Sequence, residues 1–370
     1  MVEIQCNASG KRPPSDRGLS SVVGVVLLVA IVIVTAAVVG LLSMGTAEQL
    51  DQPSPLDAQL SLEPDSAGTS AFVRSVQSPV EVRIDGETIY TVTPSDSGEE
   101  LFLPTAPGDT VTVVSTGSKQ ELLLQQTVDP ASGDYMLSYP LTAGSGTAVS
   151  DRSAHENDAE LGELDGSGFS TGTGSHPSWV DTGEETALRF DGQTDAARTN
   201  GVQLEEEDQV DEFTIAVKFN SRGSTGGVQQ IVEHSTENEP VQDWAWYFET
   251  DGGNAGGPDE FAVDYEVHWP SATVATTDPL KRGNTHVLVG TYDGEELDLY
   301  VNGSAQVTGK ELSSSLTADP AQMGDLWVGA DIDCRCQHFD GDMYEVRLYY
   351  TALDDDEVEQ VSTAMMHSSQ

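Results

Sequence analysis

Positive charge is scarce in this sequence. The 370 residues hold 16 Lys and Arg against 62 Asp and Glu, a formal net charge of −46. Lysine occurs at only five positions: Lys11, Lys119, Lys218, Lys281 and Lys310. A binder of nucleic-acid backbones needs a basic surface that releases counterions, so that class is excluded. Anionic lipid head groups are disfavoured for the same reason. Cysteine is scarce too, with Cys6, Cys334 and Cys336. Three cysteines, two of them one residue apart, give no disulfide framework. With 37% hydrophobic residues the chain can still build buried cores, and its length suits two or three domains.

One long apolar run breaks the acidic texture, from Val22 to Leu42, uncharged throughout. At helical rise it covers roughly 31 Å, about one hydrocarbon core. It exceeds the h-region of a cleaved secretory signal, about 7–15 residues. Lys11, Arg12 and Arg17 precede it, and Glu48 and Asp51 follow. The positive-inside rule places its N-terminus in the cytoplasm and the chain beyond Leu42 outside the membrane.

The junction Arg17-Gly18-Leu19-Ser20 sits directly before this run: a basic residue, a small residue, then the apolar start. That junction and the following LSSVVGVVLLVAIVIVTAAVVG resemble the class III signal and N-terminal segment of archaeal type IV pilins. The resemblance implies a prepilin peptidase that cuts between Gly18 and Leu19. Residues 1–18 are then removed, and 19–45 are kept as an apolar, pilin-type or transmembrane helix. Val23 stands where bacterial pilins carry Glu, a departure archaeal members share. Ala36 and Gly40 form a small-xxx-small pair that lets helices approach closely. The acid-rich, lysine-poor composition resembles that of halophilic proteins, and with the pilin segment it suggests a haloarchaeal chain.

Outside the membrane the texture changes twice. Residues 46–56 read as a polar exit linker. Residues 57–142 hold short alternating stretches without a helical period, including VEVRIDGETIYTV with its Asp85-Gly86 turn, and are expected to form a small β-sandwich. Residues 143–164 are rich in Gly, Ser, Asp and Glu and read as a flexible acidic linker, with His155 solvated in it. From 165 onward strand signals return. EFTIAVKF alternates Phe213, Ile215, Val217 and Phe219 with Thr214, Ala216 and Lys218, a half-buried strand. HVLVGTYDGEELDLYVNGSAQV carries two turn dipeptides, Asp293-Gly294 and Asn302-Gly303, which specify a three-stranded meander. LWVGA and GDMYEVRLYY supply further strands, and ALDDDEVEQV looks helical.

These blocks, with DGSG at 165–168, Trp179, ALRFDG and FDGDMYEVRLYYTALDDDEV, resemble the laminin-G-like, concanavalin A-like jelly roll over 165–365. The expected fold is therefore mainly β: a pilin-type helix, a small sandwich and a C-terminal jelly roll. The resemblance implies one calcium ion held by oxygen ligands in loops, with Asp191, Asp340 and Asp342 as candidates. Tyr344 takes a position where the family often has Asp, leaving Glu345. Sandwich glycosidases share the fold and need carboxylates on one strand face. Asp264 and Glu266 are two apart and share a face. Ala262 occupies the third position of that pattern, so a non-catalytic domain is expected. Cys334, Cys336 and His338 alternate and offer soft ligands for zinc or copper, against a plain surface loop. Trp244, Trp246 and Trp269 are candidates for stacking on sugar rings, against core packing. Asn302-Gly303-Ser304 is an N-glycosylation acceptor.

The expected protein is a single-pass cell-surface molecule, in the membrane or a pilus, whose jelly roll recognises a glycan or a protein. Its other partners would be prepilin peptidase and further pilins. The alternatives are a structural minor pilin without ligand and, further off, an extracellular glycosidase. Mass spectrometry of the protein recovered from its native membrane is expected to find a mature chain starting at Leu19. A start at Met1 or Val2 would refute pilin-type processing.

Overall fold

The computed structural model describes residues 58–367 apart from 66–67, 117–119, 131–132, 173, 184, 200, 203–211, 224–226, 236–244, 251–258, 269–271 and 313–323. Gly18, Leu19, Ala36, Gly40 and the whole 19–45 segment lie outside the described residues. Among the described residues no helix is long and apolar enough to cross a membrane.

Period-two alternation dominates the chain and builds antiparallel sheets. The first seven strands form the expected small sandwich. Ala58–Asp65, Gly68–Val76 and Glu100–Leu103 make a three-stranded sheet. Val80–Ile84, Glu87–Val92, Thr110–Ser115 and Leu122–Thr127 make a four-stranded one. Their inward residues, among them Ala71, Val73, Val82 and Val113, share a separate core. Asp85 and Gly86 both take positive φ (49° and 94°), the conformation a two-residue hairpin turn demands.

The next strand, Tyr135–Pro140, does not belong to the sandwich. It pairs with Asp340–Tyr349, far along the chain. Nor is 143–164 a linker. Ala148–Val149 pairs with Ala159–Asp165, which pairs in turn with Asp195–Thr199. Composition misleads here because Asp151 faces inward, where its carboxylate accepts from the backbone N–H groups of Ser138, Ser153 and Asn157 (2.8–3.0 Å). His155 is half-buried and meets the Tyr350 hydroxyl at 3.2 Å. The jelly roll thus begins near residue 135, about thirty residues before its expected start.

Two large sheets pack face to face. One has eight strands, ordered Ser178–Asp181, Thr186–Asp191, Asp340–Tyr349, Phe213–Ser221, Thr285–Tyr292, Glu296–Val301 and Ser304–Glu311, with Tyr135–Pro140 beside Asp340–Tyr349. The other has nine, ordered Gly168–Ser170, Ala159–Asp165, Asp195–Thr199, Asp325–Val328, Gln229–Ser235, Ala245–Thr250, Val263–His268 and Ala272–Ala275, with Ala148–Val149 at its side. Phe213, Ile215, Val217 and Leu348 meet Val232, Trp246, Phe248 and Tyr265 in the core between them. A Cβ at Gly290 would sit 2.9 Å from ring atoms of Phe248 and Tyr265, so only glycine lets the sheets approach there. The meander forms as its turn dipeptides dictate: Asn302 and Gly303 both take positive φ (49° and 77°).

The strand Phe213–Ser221 departs from its expected half-burial: every residue in it except Asn220 is buried. The outer face of its sheet is covered. Helix α1, Asp355–His367, lies on it with Val358, Val361, Ser362 and Met365 inward, the i, i+3, i+4, i+7 stripe of an amphipathic helix. Asp354 and Glu357 start the helix with reciprocal hydrogen bonds of 2.9 Å, a capping box. The helix core gathers Ala216, Val287, Val289, Tyr300 and Tyr349, and Phe102 of the sandwich packs against it. The Tyr135 hydroxyl donates to the Thr105 carbonyl at 2.5 Å, tying the sandwich to the same face.

Met365→Ala is expected to cost about 2–3 kcal/mol by leaving a cavity under the helix. The exposed neighbour Met366→Ala should stay within about 0.5 kcal/mol. Urea denaturation at fixed salt compares the two, and equal costs would contradict this helix face.

Candidate binding face on the open sheet

The outer face of the nine-stranded sheet carries a set of neighbouring acidic and polar groups. Alternation places Trp246 and Phe248 in the core, and Tyr247 and Glu249 on the other face. In the same way Val263, Tyr265 and Val267 point inward while Asp264 and Glu266 point out. Register then aligns these residues. Tyr247 stands opposite Glu266, and Glu249 opposite Asp264. On the other side Tyr247 faces Glu233, which faces Trp327, which faces Arg198. One row therefore runs Arg198, Trp327, Glu233, Tyr247, Glu266, Thr273 across six strands, about 24 Å at ordinary strand spacing.

The two ends of the row differ. At the Arg198 end a satellite core of Leu164, Ala196, Trp327, Ala330 and Ile332, with Phe169 against it, closes the face. Arg198 lies over the Trp327 ring at 5.3 Å and pairs with Asp325 at 2.5 Å. The segment after Trp327 folds back over the sheet, and the Ile332 N–H donates to Glu233 at 3.3 Å. Asp331 and Cys336 exchange backbone hydrogen bonds there, and Cys334 is joined to Cys336 by a disulfide. At the other end Tyr247, Glu249, Asp264 and Glu266 stay half-buried and reachable.

Crowding of like charge sets the protonation of this face. Burial first, then Asp264, Glu266 and Asp331, push the Glu249 carboxyl up to about 7. Burial and the nearby Asp331 and Asp333 hold Glu233 well above the usual carboxylate range. Burial, then a hydrogen bond to Glu266, raises the Tyr247 phenol. A neutral carboxyl beside carboxylates can donate where its neighbours accept, which suits a ligand rich in hydroxyl groups.

The other expected site residues are placed differently. Trp246 is fully buried, stacked on His234 at 5.7 Å and on Phe213 at 5.8 Å, so it serves the core and not a sugar ring. Trp244 and Trp269 lie outside the described residues. Asp191 and Asp340 are cross-strand neighbours, and Asp342 follows two residues on. Arg189 grips both oxygens of Asp342 at 2.7 and 2.8 Å, and Arg222 lies 3.3 Å from Asp340. Asp191 caps its own turn, accepting from the N–H groups of Gln193 and Thr194. Guanidinium groups already balance this donor set, so it does not fit a calcium cage. The disulfide leaves Cys334 and Cys336 no thiolate for zinc or copper. Asn302 is exposed at its hairpin tip, with its side-chain oxygen accepting from the Val287 N–H at 2.8 Å. Sequence reasoning singled out Asp264 and Glu266 and missed Tyr247, Glu249 and Glu233. The signal was the alternation in AWYFE, which turns Tyr247 and Glu249 outward once Trp246 is read as core.

A family profile described as the concanavalin A-like lectin/glucanases superfamily matches residues 191–359. No curated protein matches the chain. Among solved structures, the chain is similar to domain 4 of AbnA, a GH43 extracellular arabinanase from Geobacillus stearothermophilus solved with arabinotriose. Identity is 13% and the TM-score 0.45, over 62% of this chain and 98% of that one. It is also similar to the binding domain of botulinum neurotoxin serotype G (13%, TM-score 0.45, 63% and 51%). A third is the CBM40 of the Ruminococcus gnavus IT-sialidase, bound to α2,3 sialyllactose (16%, TM-score 0.34, 45% and 97%). The C-terminal part of this chain is a concanavalin A-like jelly roll.

The proton on Glu249 is held more tightly in the folded chain than in the unfolded one. The folded state therefore binds more protons between about pH 4.5 and 7, and stability falls as pH rises through that window. Glu249→Gln is expected to raise the melting temperature at pH 8 and to reduce the slope between pH 4.5 and 7. Part of the slope remains, because burial raises Glu233, Asp109 and Asp195 in the same sense. Melting curves across pH test this, and an unchanged slope would mean that Glu249 ionises freely.

Proposed function

We propose that this chain is a cell-surface recognition protein, held by its apolar segment 19–45, that presents the outer face of the nine-stranded sheet to a glycan. One observation carries the reading. Helix α1 and the sandwich cover the outer face of one sheet, while the other keeps Tyr247, Glu249, Asp264 and Glu266 half-buried and within reach. Hydroxyl groups of a sugar can donate to Asp264, Glu266 and the Tyr247 oxygen, and accept from protonated Glu249. A protein ligand with the same hydroxyl and amide chemistry is the alternative occupant. The Arg17-Gly18-Leu19 junction supports pilin-type processing, by a prepilin peptidase, and display on the membrane or in a filament beside other pilins. The surplus of carboxylates suits a medium whose salt screens their repulsion.

Glycoside hydrolysis is a second reading, favoured by Glu249. A carboxyl pushed up to about 7 beside two further carboxyls, Asp264 and Glu266, is the acid-with-partner arrangement such chemistry uses: one group protonates the leaving oxygen, the other activates water or attacks the sugar.

A glycan array probed with the full chain at molar salt is expected to return a ligand, and Asp264→Asn with Glu266→Gln to weaken it by about tenfold or more. A folded chain that binds nothing on the array or in pull-downs would remove the recognition role. Hydrolysis of the ligand by the wild type, lost in Glu249→Gln, would establish the second reading instead.

A further inference from the structure

A pocket of about 50 Å³ lies on the opposite side of the jelly roll from the open face, where the sandwich meets the eight-stranded sheet. The hairpin around Asp85, the loop carrying Asp109, and Arg152, Glu345, Arg347 and Ala364 of α1 contribute to its wall. Arg347 is only 3% exposed. Its Nε donates to Glu345 at 2.6 Å, but its Nη1 finds no hydrogen-bond partner among the described residues. Ser138 stands directly opposite on the paired strand, and its Oγ has none either. A buried charged donor left without an acceptor is costly, so this wall is short of an oxygen.

The remaining lining groups narrow what that oxygen belongs to. Each of four lining carboxylates already has a partner. Glu345 has Arg347, Glu185 has Lys218 at 2.8 Å, Asp85 accepts from the Thr110 N–H at 2.7 Å, and Asp109 accepts from the Ala106 N–H at 2.7 Å. A cation would have to enter beside the guanidinium groups of Arg347 and Arg152, and these four carboxylates are already engaged with other donors. An anion would enter against five carboxylates, counting Glu87, with only Arg152 and Arg347 as lining cations apart from His367. A neutral group with hydroxyls escapes both penalties: one oxygen accepts from Arg347, and a neighbour exchanges a hydrogen bond with Thr142, which lines the pocket. The volume equals the space of about three to five waters, enough for two adjacent hydroxyl-bearing carbons and too small for a whole oligosaccharide.

We propose that this pocket is a separate binding site for a vicinal diol, either a free polyol or the terminal hydroxyls of a glycan, with Arg347 as its principal donor. It does not depend on the glycan reading of the open sheet.

The test is a titration of the full chain, labelled with ¹⁵N-arginine, with glycerol, erythritol and methyl α-mannopyranoside in turn, following the Arg347 guanidinium signals by NMR. At least one probe is expected to shift them saturably. Thr142→Trp, which plugs the pocket and leaves the buried charges in place, should weaken that binding by about tenfold or more. Ala364→Phe is the second plug should the first fail to fold. Saturation by glycerol or erythritol alone identifies a free polyol, by the glycoside alone a glycan terminus, and by both the shared diol chemistry. No saturable shift with any probe would overturn the proposal and leave ordered water as the partner of Arg347. Equal binding in a folded plugged variant would overturn it as well.

Discussion

The strand Asp340–Tyr349 is buried along nearly its whole length and hydrogen-bonds to three others. Much of the described structure depends on that arrangement. Its inward residues, Val346 and Leu348, join the core between the sheets. On the other face Tyr349 packs under helix α1, and Glu345 and Arg347 form a buried ion pair where the sandwich docks. Such a pair is weak evidence for stability, because desolvation offsets most of its attraction. Its geometric demand is strong, since neither charge can lose its partner cheaply. Tyr135, whose ring lies 4.6 Å from that of Tyr349, then reaches the Thr105 carbonyl and fixes the sandwich in place.

Scarcity of cations explains where the few present are found. Lys218 is almost completely buried, pairs with Glu185 at 2.8 Å and sits over the Tyr344 ring. Arg189 holds Asp342, Arg198 holds Asp325, and Arg347 holds Glu345. In each pair at least one side chain is largely shielded from water, where an unpaired carboxylate would be most costly. What remains on the surface is a carboxylate excess with little to neutralise it. Salt screens that exposed excess far more than it screens the shielded pairs.

Local signals in the sequence were the legible ones. Asn302-Gly303 and Asp85-Gly86 form their turns because few other residues tolerate those backbone angles. The acidic C-terminal segment forms a helix because its cap and stripe lie within a few residues of each other. Long-range facts were not legible. Nothing in Phe213–Ser221 announces that the distant C-terminal helix, Asp355–His367, covers its second face. Nothing in 143–164 distinguishes a solvated carboxylate from Asp151, which gathers backbone donors from three positions. The candidate site divides the same way. Asp264 and Glu266 sit two apart on one strand and could be paired by eye. Glu249 and Glu233 join them only through the register of neighbouring strands.

That register leads to the last step. Glu249 stays half-buried opposite Asp264, and its carboxyl is pushed to about 7, mainly by burial and then by its acidic neighbours. In the free protein this face is therefore held in a state its own charges oppose. A core position with such a conflict could be replaced by an apolar side chain at little cost, because packing would gain what electrostatics lost. An outward position on an open sheet has no core to gain. The glycan proposed above would relieve it by donating hydrogen bonds to Asp264 and Glu266 and accepting one from Glu249. Sugar hydroxyls do both, since each is donor and acceptor at once. The strain on Glu249 and the openness of the sheet are thus two sides of one arrangement. The covered sheet carries helix α1 and the sandwich, and the other keeps a half-buried acidic face on its outer side.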